Sequence, residues 1–310
     1  MPPLHKQRAV LAAKIEAVEG TGETLAAADG ILALSGEFKR NIEMVANDPL
    51  RPTFSQLASV PGKRTANIRT SVAARGSGAA GTAPEVDALL RACGFAVTNV
   101  PVTSDTYDFV STASETVTIA YYEDGVRHQM LGSRGSATFG GAVGEFMVWN
   151  FDFLGVEDTV TDVAIITPTY NTTVPQPLLS TTFTLFGATV IGNSFSMDFG
   201  NVLSPRQDFT QASGHKSVFY GGRVPVGNFV VEKELMAANN WYQRMEDGTE
   251  GAFQLVLGAS AGNIITVDCP KAQIMDITEQ NDGGKAMLSL DVKLNLSVNA
   301  GDDELTLAFT

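Results

Sequence analysis

The second half of the chain repeats the pattern of its first half. Three positions recur at one constant offset of 155 residues: Arg51, Phe54 and Gln56 match Arg206, Phe209 and Gln211. Each matched segment leads into an alternating strand pattern and then into a short helix candidate, at 83–94 and at 236–248. A period this long exceeds that of a solenoid repeat and predicts two copies of one domain. We place them at residues 1–178 and 179–310.

The helix candidates carry terminal signals. Both end on a glycine, Gly94 and Gly248, which suits the left-handed residue that follows a helix. Thr82 is suited to cap the first helix, and Pro84 fits its first turn. The two halves therefore share the order strand, helix, strand.

Short runs of β-branched and aromatic residues dominate the rest of each half. The predicted strands lie at 117–122, 125–133 and 142–153, and at 253–257, 263–269 and 286–298. Hairpin turns are predicted at 123–125 and 281–284. The first copy carries about seventeen extra residues, assigned to a polar loop at 99–114, and 154–180 reads as the connection between copies. The fold class is mainly β: two tandem sandwiches or barrels, each with one short flanking α-helix.

Composition excludes several classes of protein. The net charge is −13, shared as −6 before and −7 after residue 178, so the chain lacks the basic surface that grips a nucleic-acid backbone. No apolar run is long enough to predict a membrane span, and the N-terminus has no secretory pattern, which makes the cytoplasm the default compartment. Cys93 and Cys269 are expected to be small buried apolar residues rather than a disulfide.

No motif predicts an enzyme. The segment 76–81 fits the G-x-G-x-x-G pattern, but no alternation of strands and helices follows it, so a flexible strand-to-helix loop is the better interpretation. The histidines, His5, His128 and His215, are dispersed and match no metal-ligand spacing. We expect no catalytic residue, no cofactor and no metal.

The chain resembles the major tail tube protein of long-tailed bacteriophages with non-contractile tails. The residues that carry the resemblance are spread over nearly the whole chain and are not diagnostic one by one. They lie at 14–21, 62–64, 76–84, 89–95, 124–128, 131–135 and 301–307.

The resemblance implies a β-sandwich or barrel with a flanking helix, a fold shared with the tube protein of type VI secretion systems. It implies rings of six domains stacked into a hollow tube inside the virion, assembled in the host cytoplasm. Inner strands form the lumen wall, while loops and arms contact the next ring. The implied partners are the tape-measure protein in the lumen, the tail terminator and distal tail proteins at the tube ends, and the genome that passes through.

Two domains per chain predict that three chains make one pseudo-sixfold ring. The acidic balance fits a lumen along which DNA slides without binding tightly. We expect Glu145, Asp152 and Asp291 to face the lumen. We expect ring-to-ring contacts from the loops at 21–36 and 99–114, through Glu23, Asp29, Asp105 and Tyr107.

A second hypothesis is a soluble host- or carbohydrate-binding β-sandwich, such as a component of the tail tip or baseplate. That function predicts exposed aromatic residues clustered on one loop face. Trp149 and Trp241 instead lie inside predicted elements, which disfavours it. An enzyme is the hypothesis with the least support from the residues.

Overall fold

The computed structural model describes residues 3–310, which form mostly antiparallel strands. The strands of the first half are β1 (Ala9–Ile15), β2 (Gly30–Ile31), β3 (Ala33–Val45), β4 (Val60–Ala73), β5 (Phe95–Val100), β6 (Ser104–Phe109), β7 (Val117–Glu123), β8 (Val126–Ala142), β9 (Val148–Glu157) and β10 (Thr161–Asp162). Those of the second half are β11 (Thr182–Leu185), β12 (Ala188–Thr189), β13 (Gly192–Asp198), β14 (Asn201–Gln207), β15 (His215–Arg223), β16 (Val226–Glu232), β17 (Glu250–Leu257), β18 (Ile265–Asp282), β19 (Lys285–Leu294) and β20 (Thr306–Phe309). The helices are α1 (Asp87–Arg91) and α2 (Trp241–Glu246), and a single 3-10 turn lies at Ala27–Asp29. The mainly β fold class, with one short α-helix in each half, is confirmed.

The two halves have the same strand order. In the first half, neighbouring strands pair in the order β2–β1–β7–β8–β9–β4–β3. In the second half the order is β12–β11–β17–β18–β19–β16–β13, which matches the first strand by strand. This correspondence supports two copies of one unit, called copy 1 and copy 2 below. The boundary after residue 178 stays a prediction; β11 begins at Thr182.

Several predicted strand bounds are wrong. β8 continues to Ala142 instead of ending at 133, and β9 covers Val148–Glu157 instead of 142–153, so the predicted connection at 154–180 overlaps its end. Glycines inside β8 suggested a break, but here they admit a neighbouring strand. A Cβ on Gly140 would lie 2.2 Å from the Phe195 carbonyl oxygen of β13.

The second copy differs in the same way. β18 is an 18-residue strand that reaches Asp282, well beyond the predicted 263–269, and β19 ends at Leu294 rather than at 298. The hairpin turns are as predicted: Asp124 and Gly125 have φ of 43° and 101°, and Gly283 and Gly284 have 59° and 97°. Such left-handed pairs are typical of two-residue hairpin loops.

Both helices are shorter than predicted. α1 begins at Asp87, its N-cap is Val86, and no side chain caps it, so the prediction that Thr82 caps this helix is wrong. Asn240 caps α2 by accepting a hydrogen bond from the Gln243 amide. The terminal glycines behave as expected, with φ of 88° at Gly94 and 63° at Gly248.

The extra segment of copy 1 is structured. The predicted polar loop at 99–114 contains most of a hairpin, β5–β6, whose second strand pairs with β20 at the end of the chain. β20 in turn pairs with β18 of copy 2. The insertion therefore ties copy 1 to copy 2 through a shared sheet.

A second junction joins the copies through their long strands. β13 of copy 2 pairs antiparallel with the last part of β8 of copy 1, from Ser194 opposite Ala142 to Asp198 opposite Thr138. β13 also pairs with β16, so the strands β3–β4–β9–β8–β13–β16–β19–β18 form one continuous antiparallel sheet. Each copy contributes four of these eight strands.

One hydrophobic core spans both copies. Phe199 of copy 2 is fully buried and packs against the rings of Phe95, Phe109 and Phe139 of copy 1, at centroid distances of 4.9, 5.8 and 5.8 Å. Trp149 is also fully buried. The copies therefore share their interior as well as their sheet.

The glycine-rich segment at 76–81 lies against copy 2. The Gly78 amide donates to the Gly262 carbonyl oxygen and the Gly76 amide donates to Asn263 Oδ1, at 2.9 and 2.8 Å. A Cβ on Gly76 would lie 2.1 Å from that carbonyl oxygen. This close backbone approach explains the glycines, and the loop packs against copy 2 rather than standing free as expected.

Candidate assembly surfaces

One face of the eight-stranded sheet is polar from edge to edge. On β9 the side chains of Trp149, Phe151 and Phe153 point into the core, and those of Asn150 and Asp152 point to the opposite face. Directly opposite residues share a face. The face therefore continues across all eight strands through Ser35, Glu37, Lys39, Asn67, Arg69, Ser71, Ser136, Thr138, Ser196, Asp198, Asn228, Asp276, Thr278, Ser289 and Asp291.

Acidic groups outnumber basic groups on this face, which we call the polar face. Its acidic members are Glu37, Asp152, Asp198, Glu232, Asp276, Asp282 and Asp291, and its basic members are Lys39, Arg69, Lys285, Lys293 and the buried Arg134. Arg69 Nε donates to Asp152 Oδ2 at 3.0 Å, and Asn228 Nδ2 donates to Asp291 Oδ1 at 2.6 Å. Both contacts are exposed and are worth little to stability, so this surface suits contact with an aqueous space.

Both outer edges of this sheet are open. β3 pairs with β4 on one side, and no strand in residues 3–310 pairs with its other side. The part of β18 from Asp276 to Asp282 likewise pairs with β19 alone. Exposed strand edges of this length are sites at which another chain adds a strand.

The open edges correspond to the two edges that meet at the copy junction. Gly140 of β8 forms the last pair before its hairpin turn, and Asp282 holds this position in β18. Ser196 of β13 lies opposite Asn228, as Lys39 of β3 lies opposite Asn67. The free edges of β3 and β18 are thus the copy 1 and copy 2 versions of strands that pair inside the chain.

The hairpin ends of β3–β4 and β14–β15 differ sharply. In copy 2, β14 and β15 fold back across copy 1, where Asn201 Nδ2 donates to the Cys93 and Gly135 carbonyl oxygens at 2.7 and 3.0 Å. In copy 1, the matching residues 46–59 form no strand and every one of them is exposed. We call residues 46–59 the open loop.

A fully exposed phenylalanine lies in each of these segments. Phe54 is in the open loop and Phe209 is in the turn between β14 and β15. These residues form part of the repeat, but sequence reasoning assigned them no role. The sequence did carry a signal for them: an aromatic residue repeated in a polar turn has no core to pack into, which indicates a surface contact.

The matching family model is that of a phage tail tube protein, and it covers residues 6–303. The chain belongs to the phage tail tube protein family. This tail tube protein is accordingly a structural component of the virion, and the family is a structural one rather than an enzyme family. A comparison with curated proteins finds no match.

Three residues of the tail tube protein were predicted to face a lumen. Asp291 lies exposed and Asp152 half-buried on the polar face. Glu145 lies instead in the turn between β8 and β9, and its carbonyl oxygen accepts a hydrogen bond from the Leu178 amide at 2.7 Å. It is at the rim of the sheet rather than on the face.

Four residues were predicted to contact another ring. Glu23 and Asp29 are half-buried; Glu23 forms an ion pair with Lys14 at 3.6 Å, and Asp29 accepts a hydrogen bond from the Ala26 amide at 2.7 Å. Asp105 and Tyr107 lie on β6 and are buried, so in this chain neither side chain reaches the surface as the prediction requires. Burial and the neighbouring Asp87 carboxylate, to which its hydroxyl donates at 2.8 Å, raise the pKa of Tyr107.

The tail tube protein shows no chemistry-bearing cluster in the described part of the chain. No group of three or more His, Cys, Asp or Glu within residues 3–310 is arranged to hold a metal ion. Both cysteines are free and buried, and burial raises the pKa of the Cys269 thiol to about 12 and that of Cys93 well above its usual value. Burial, followed by the Lys63 ammonium, lowers the pKa of His215. No helix in residues 3–310 meets the length and apolarity of a membrane crossing.

Proposed function

We propose that this protein polymerises into stacked rings of three chains, which form the hollow tail tube of the phage. The single observation that carries the proposal is the pairing of β13 with β8 between copy 2 and copy 1. The two free edges of the same sheet are the counterparts of those two strands. Joining β3 of one chain to β18 of the next repeats this junction, and the head-to-tail contact closes a ring of three chains when each junction turns the next chain by one third of a full rotation.

The internal junction also supplies the register between chains. Ser196 lies opposite Gly140 at the internal junction, so Lys39 of one chain takes its place opposite Asp282 of the next. Both side chains are exposed in the single chain. Opposite charges directly across an antiparallel pair are stabilising. The proposed junction therefore brings together a cation and an anion that fit the pairing.

The polar face becomes the lumen wall in this arrangement. Three chains with eight strands each give a barrel of 24 strands, and at about 4.8 Å per strand and a tilt of about 35–45° it is roughly 45–52 Å across between backbones. Asp152 and Asp291 then line the lumen and Glu145 lies at its rim. The excess of acidic groups lets DNA pass without the counterion release that drives binding. The tape-measure protein occupies the same space during assembly.

Stacking and tube ends involve other surfaces. The exposed ring of Phe209 recurs three times per ring and is our first candidate for contacts with the next ring, together with Glu23 and Asp29. Asp105 and Tyr107 would contact another ring only if β6 moved, because they are buried. The tail terminator and the distal tail proteins bind at the ends of the stack.

The finer classification belongs to the same proposal. We assign the tube to a long, non-contractile tail of siphovirus type, with a fold related to type VI secretion tube proteins, assembled in the host cytoplasm and without enzymatic activity. The alternative, a host- or carbohydrate-binding tail-tip protein, needs exposed aromatic side chains in one cluster. The complete burial of Trp149 and near-complete burial of Trp241 disfavour it.

Electron microscopy of the purified protein tests the ring. We expect tubes whose layers contain three chains, with a 24-stranded inner wall. Native mass spectrometry of material taken apart by mild denaturant should give a trimer as the ring unit. A protein that stays monomeric at high concentration would contradict the proposal, and six chains per layer would contradict the use of the duplication.

A charge exchange tests the register. Lys39→Glu places like charges opposite each other at all three junctions, so we expect the protein concentration needed for assembly to rise by about two- to tenfold. Lys39→Glu combined with Asp282→Lys should restore assembly, measured by light scattering and sedimentation. Lys293→Glu is the matched control, because it changes the same charge on the same face away from both edges. If the double variant assembles no better than Lys39→Glu, this register is wrong.

A further inference from the structure

We infer that the open loop at 46–59 binds copy 2 of the neighbouring chain in the same ring, as the β14–β15 hairpin binds copy 1 within one chain. The inference rests on the proposed ring. It assigns the loop a second copy of this chain as its partner, and a receiving surface built by β18, β19 and the end of α2.

The first argument is the contact already present inside the chain. The β14–β15 hairpin lies across the bulge in β8, where Arg134 Nη1 donates to the Val218 carbonyl oxygen and is 7% exposed. Arg206 of the hairpin lies 4.0 Å from Glu19 of copy 1. The hairpin thus covers copy 1 with a backbone contact, a buried cation and an ion pair.

The second argument is that the matching surface of copy 2 is uncovered. The first pair after the bulge is Arg134 opposite Leu154 in copy 1 and Asp276 opposite Asp291 in copy 2. Arg134 is buried beneath the hairpin, whereas Asp276 and Asp291 are exposed. The neighbouring Met275 is 58% exposed. This surface has the geometry of a receiving site but no occupant within the described chain.

The third argument is charge. Asp276 and Asp291 lie directly opposite each other, and like charges in this position are destabilising unless a cation joins them. Glu246 and Asp247, at the end of α2, add further exposed negative charge at the positions of Ala92 and Cys93 in copy 1. The open loop carries Arg51, the repeat partner of Arg206, and Lys63 and Arg64 follow it in β4. Asp48 makes the loop neutral overall and Lys63 forms an ion pair with Glu43 at 3.3 Å, so the cation that the loop itself brings to the acidic surface is Arg51.

The fourth argument is placement. The open loop continues directly from β3, the strand that pairs with β18 of the next chain in the proposed ring. At the repeat offset of 155, Ala46 matches Asn201, whose backbone nitrogen atom lies 3.2 Å from Ser136 Oγ, and Thr278 holds the position of Ser136 in β18. Ala46 of one chain is therefore expected next to Thr278 of its neighbour, with Arg51 between Asp276 and Asp291.

A disulfide ladder tests this placement. The variant Ala46→Cys/Thr278→Cys, assembled into tubes and oxidised, should link each chain to the next around one ring, and a non-reducing gel should show a ladder that stops at the trimer. The native cysteines are buried and free, so they add no background. Asn201→Cys/Ser136→Cys is the matched control, because its bridge should form within one chain and leave the mass of the chain unchanged.

The possible outcomes distinguish a failure of the proposed loop contact from a failure of the proposed ring. A ladder that continues beyond the trimer places the loop on the next ring and overturns the inference, while the tube stands. Tubes with no linkage leave the proposed function intact and also overturn the inference. If the unmodified protein forms no rings, both the proposed function and this inference are wrong.

Arg51→Glu gives a second readout in the same tubes. In the unmodified tubes, we expect Lys63, which follows the open loop in β4, to be protected from trypsin and to be cut faster in the disassembled chain. Arg51→Glu should leave the fold of the monomer unchanged, because this side chain is exposed, and should raise the assembly concentration by about two- to tenfold. Equal cleavage at Lys63 in tubes and monomers would contradict the contact.

Discussion

At the scale of single residues, buried carboxylates hold the loops of copy 1 in place. Glu16 is 7% exposed and follows β1. It accepts hydrogen bonds from the Gly20 amide at 2.7 Å, the Thr116 hydroxyl at 2.7 Å, the Thr118 hydroxyl at 3.0 Å and the Gly132 amide at 2.8 Å. These donors come from three separate segments, so one side chain fixes the path of all three.

Removal of this acceptor should be costly. Glu16→Ala leaves four donors without a partner, and we expect the free energy of unfolding to fall by about 2–4 kcal/mol. Glu16→Gln keeps one acceptor oxygen and should lose less. Urea unfolding of the disassembled chain measures the change, with Glu37→Ala on the exposed polar face as the control, expected within about 0.5 kcal/mol of the unmodified protein. A loss at Glu16→Ala no larger than in that control would contradict the role given to this network.

No sequence pattern pointed to Glu16. It is one of three glutamates in 14–23, and its neighbours in the fold are up to 116 residues away along the chain. The glycines were easier to interpret, because Gly94 and Gly248 follow helix candidates and have the left-handed conformation that such positions favour. Local backbone conformation can be predicted from local sequence, whereas the hydrogen-bond partners of a buried carboxylate cannot.

At the scale of elements, the copies are joined by strands that the sequence placed poorly. The short strand β20 was not predicted, yet it fills the gap between β18 of copy 2 and β6 of copy 1. Its Leu307 is fully buried, and Phe309 packs edge-on against Tyr107 with 5.6 Å between ring centroids. Four residues give too short an alternation to predict a strand, because the pairing on both sides decides the conformation.

A substitution in β20 should therefore affect copy 1. Leu307→Ala removes a fully buried side chain, and we expect a loss of about 2–4 kcal/mol in the free energy of unfolding. Hydrogen exchange should increase in β6 as well as in β18, because β20 pairs with both. Leu296→Ala, at a half-exposed leucine outside the strands, is the control. Faster exchange confined to copy 2 would show that β20 does not join the copies energetically.

At the scale of the whole molecule, we expect the two copies to unfold as one unit. They share the eight-stranded sheet, the pairing through β20 and the core around Phe199. The duplication is a prediction from matched positions in the sequence, and the matching strand order of the two halves supports it. The sequence misses the extent of the contact between copies, because strands that are distant along the chain, such as β8 and β13 or β6 and β20, pair without leaving a local signal.

Separated halves should consequently be unstable. We expect residues 1–178 alone and residues 179–310 alone to lack a cooperative thermal transition, since each exposes an unpaired edge of β8 or β13 and part of the common core. Mixing or co-expressing them should restore one transition near that of the intact chain. Circular dichroism and calorimetry measure both. A cooperative transition of either half on its own would show that the copies are independent domains.

The sequence by itself determined the mainly β class of the fold, because alternation and turn residues are local properties of sequence, and its matched positions predicted two copies of one unit. Only the tertiary structure decided which side chains share a surface. Asp152 and Asp291 lie on the polar face, whereas Asp105 and Tyr107 are buried. All four residues lie in strands, so strand formation alone does not explain the difference. The physical reason is that a face is set by strand register, and register depends on pairing between distant residues. Pairing between distant residues also decides that β3 and β18 are open edges, so the open edges cannot be predicted from any single segment of the sequence.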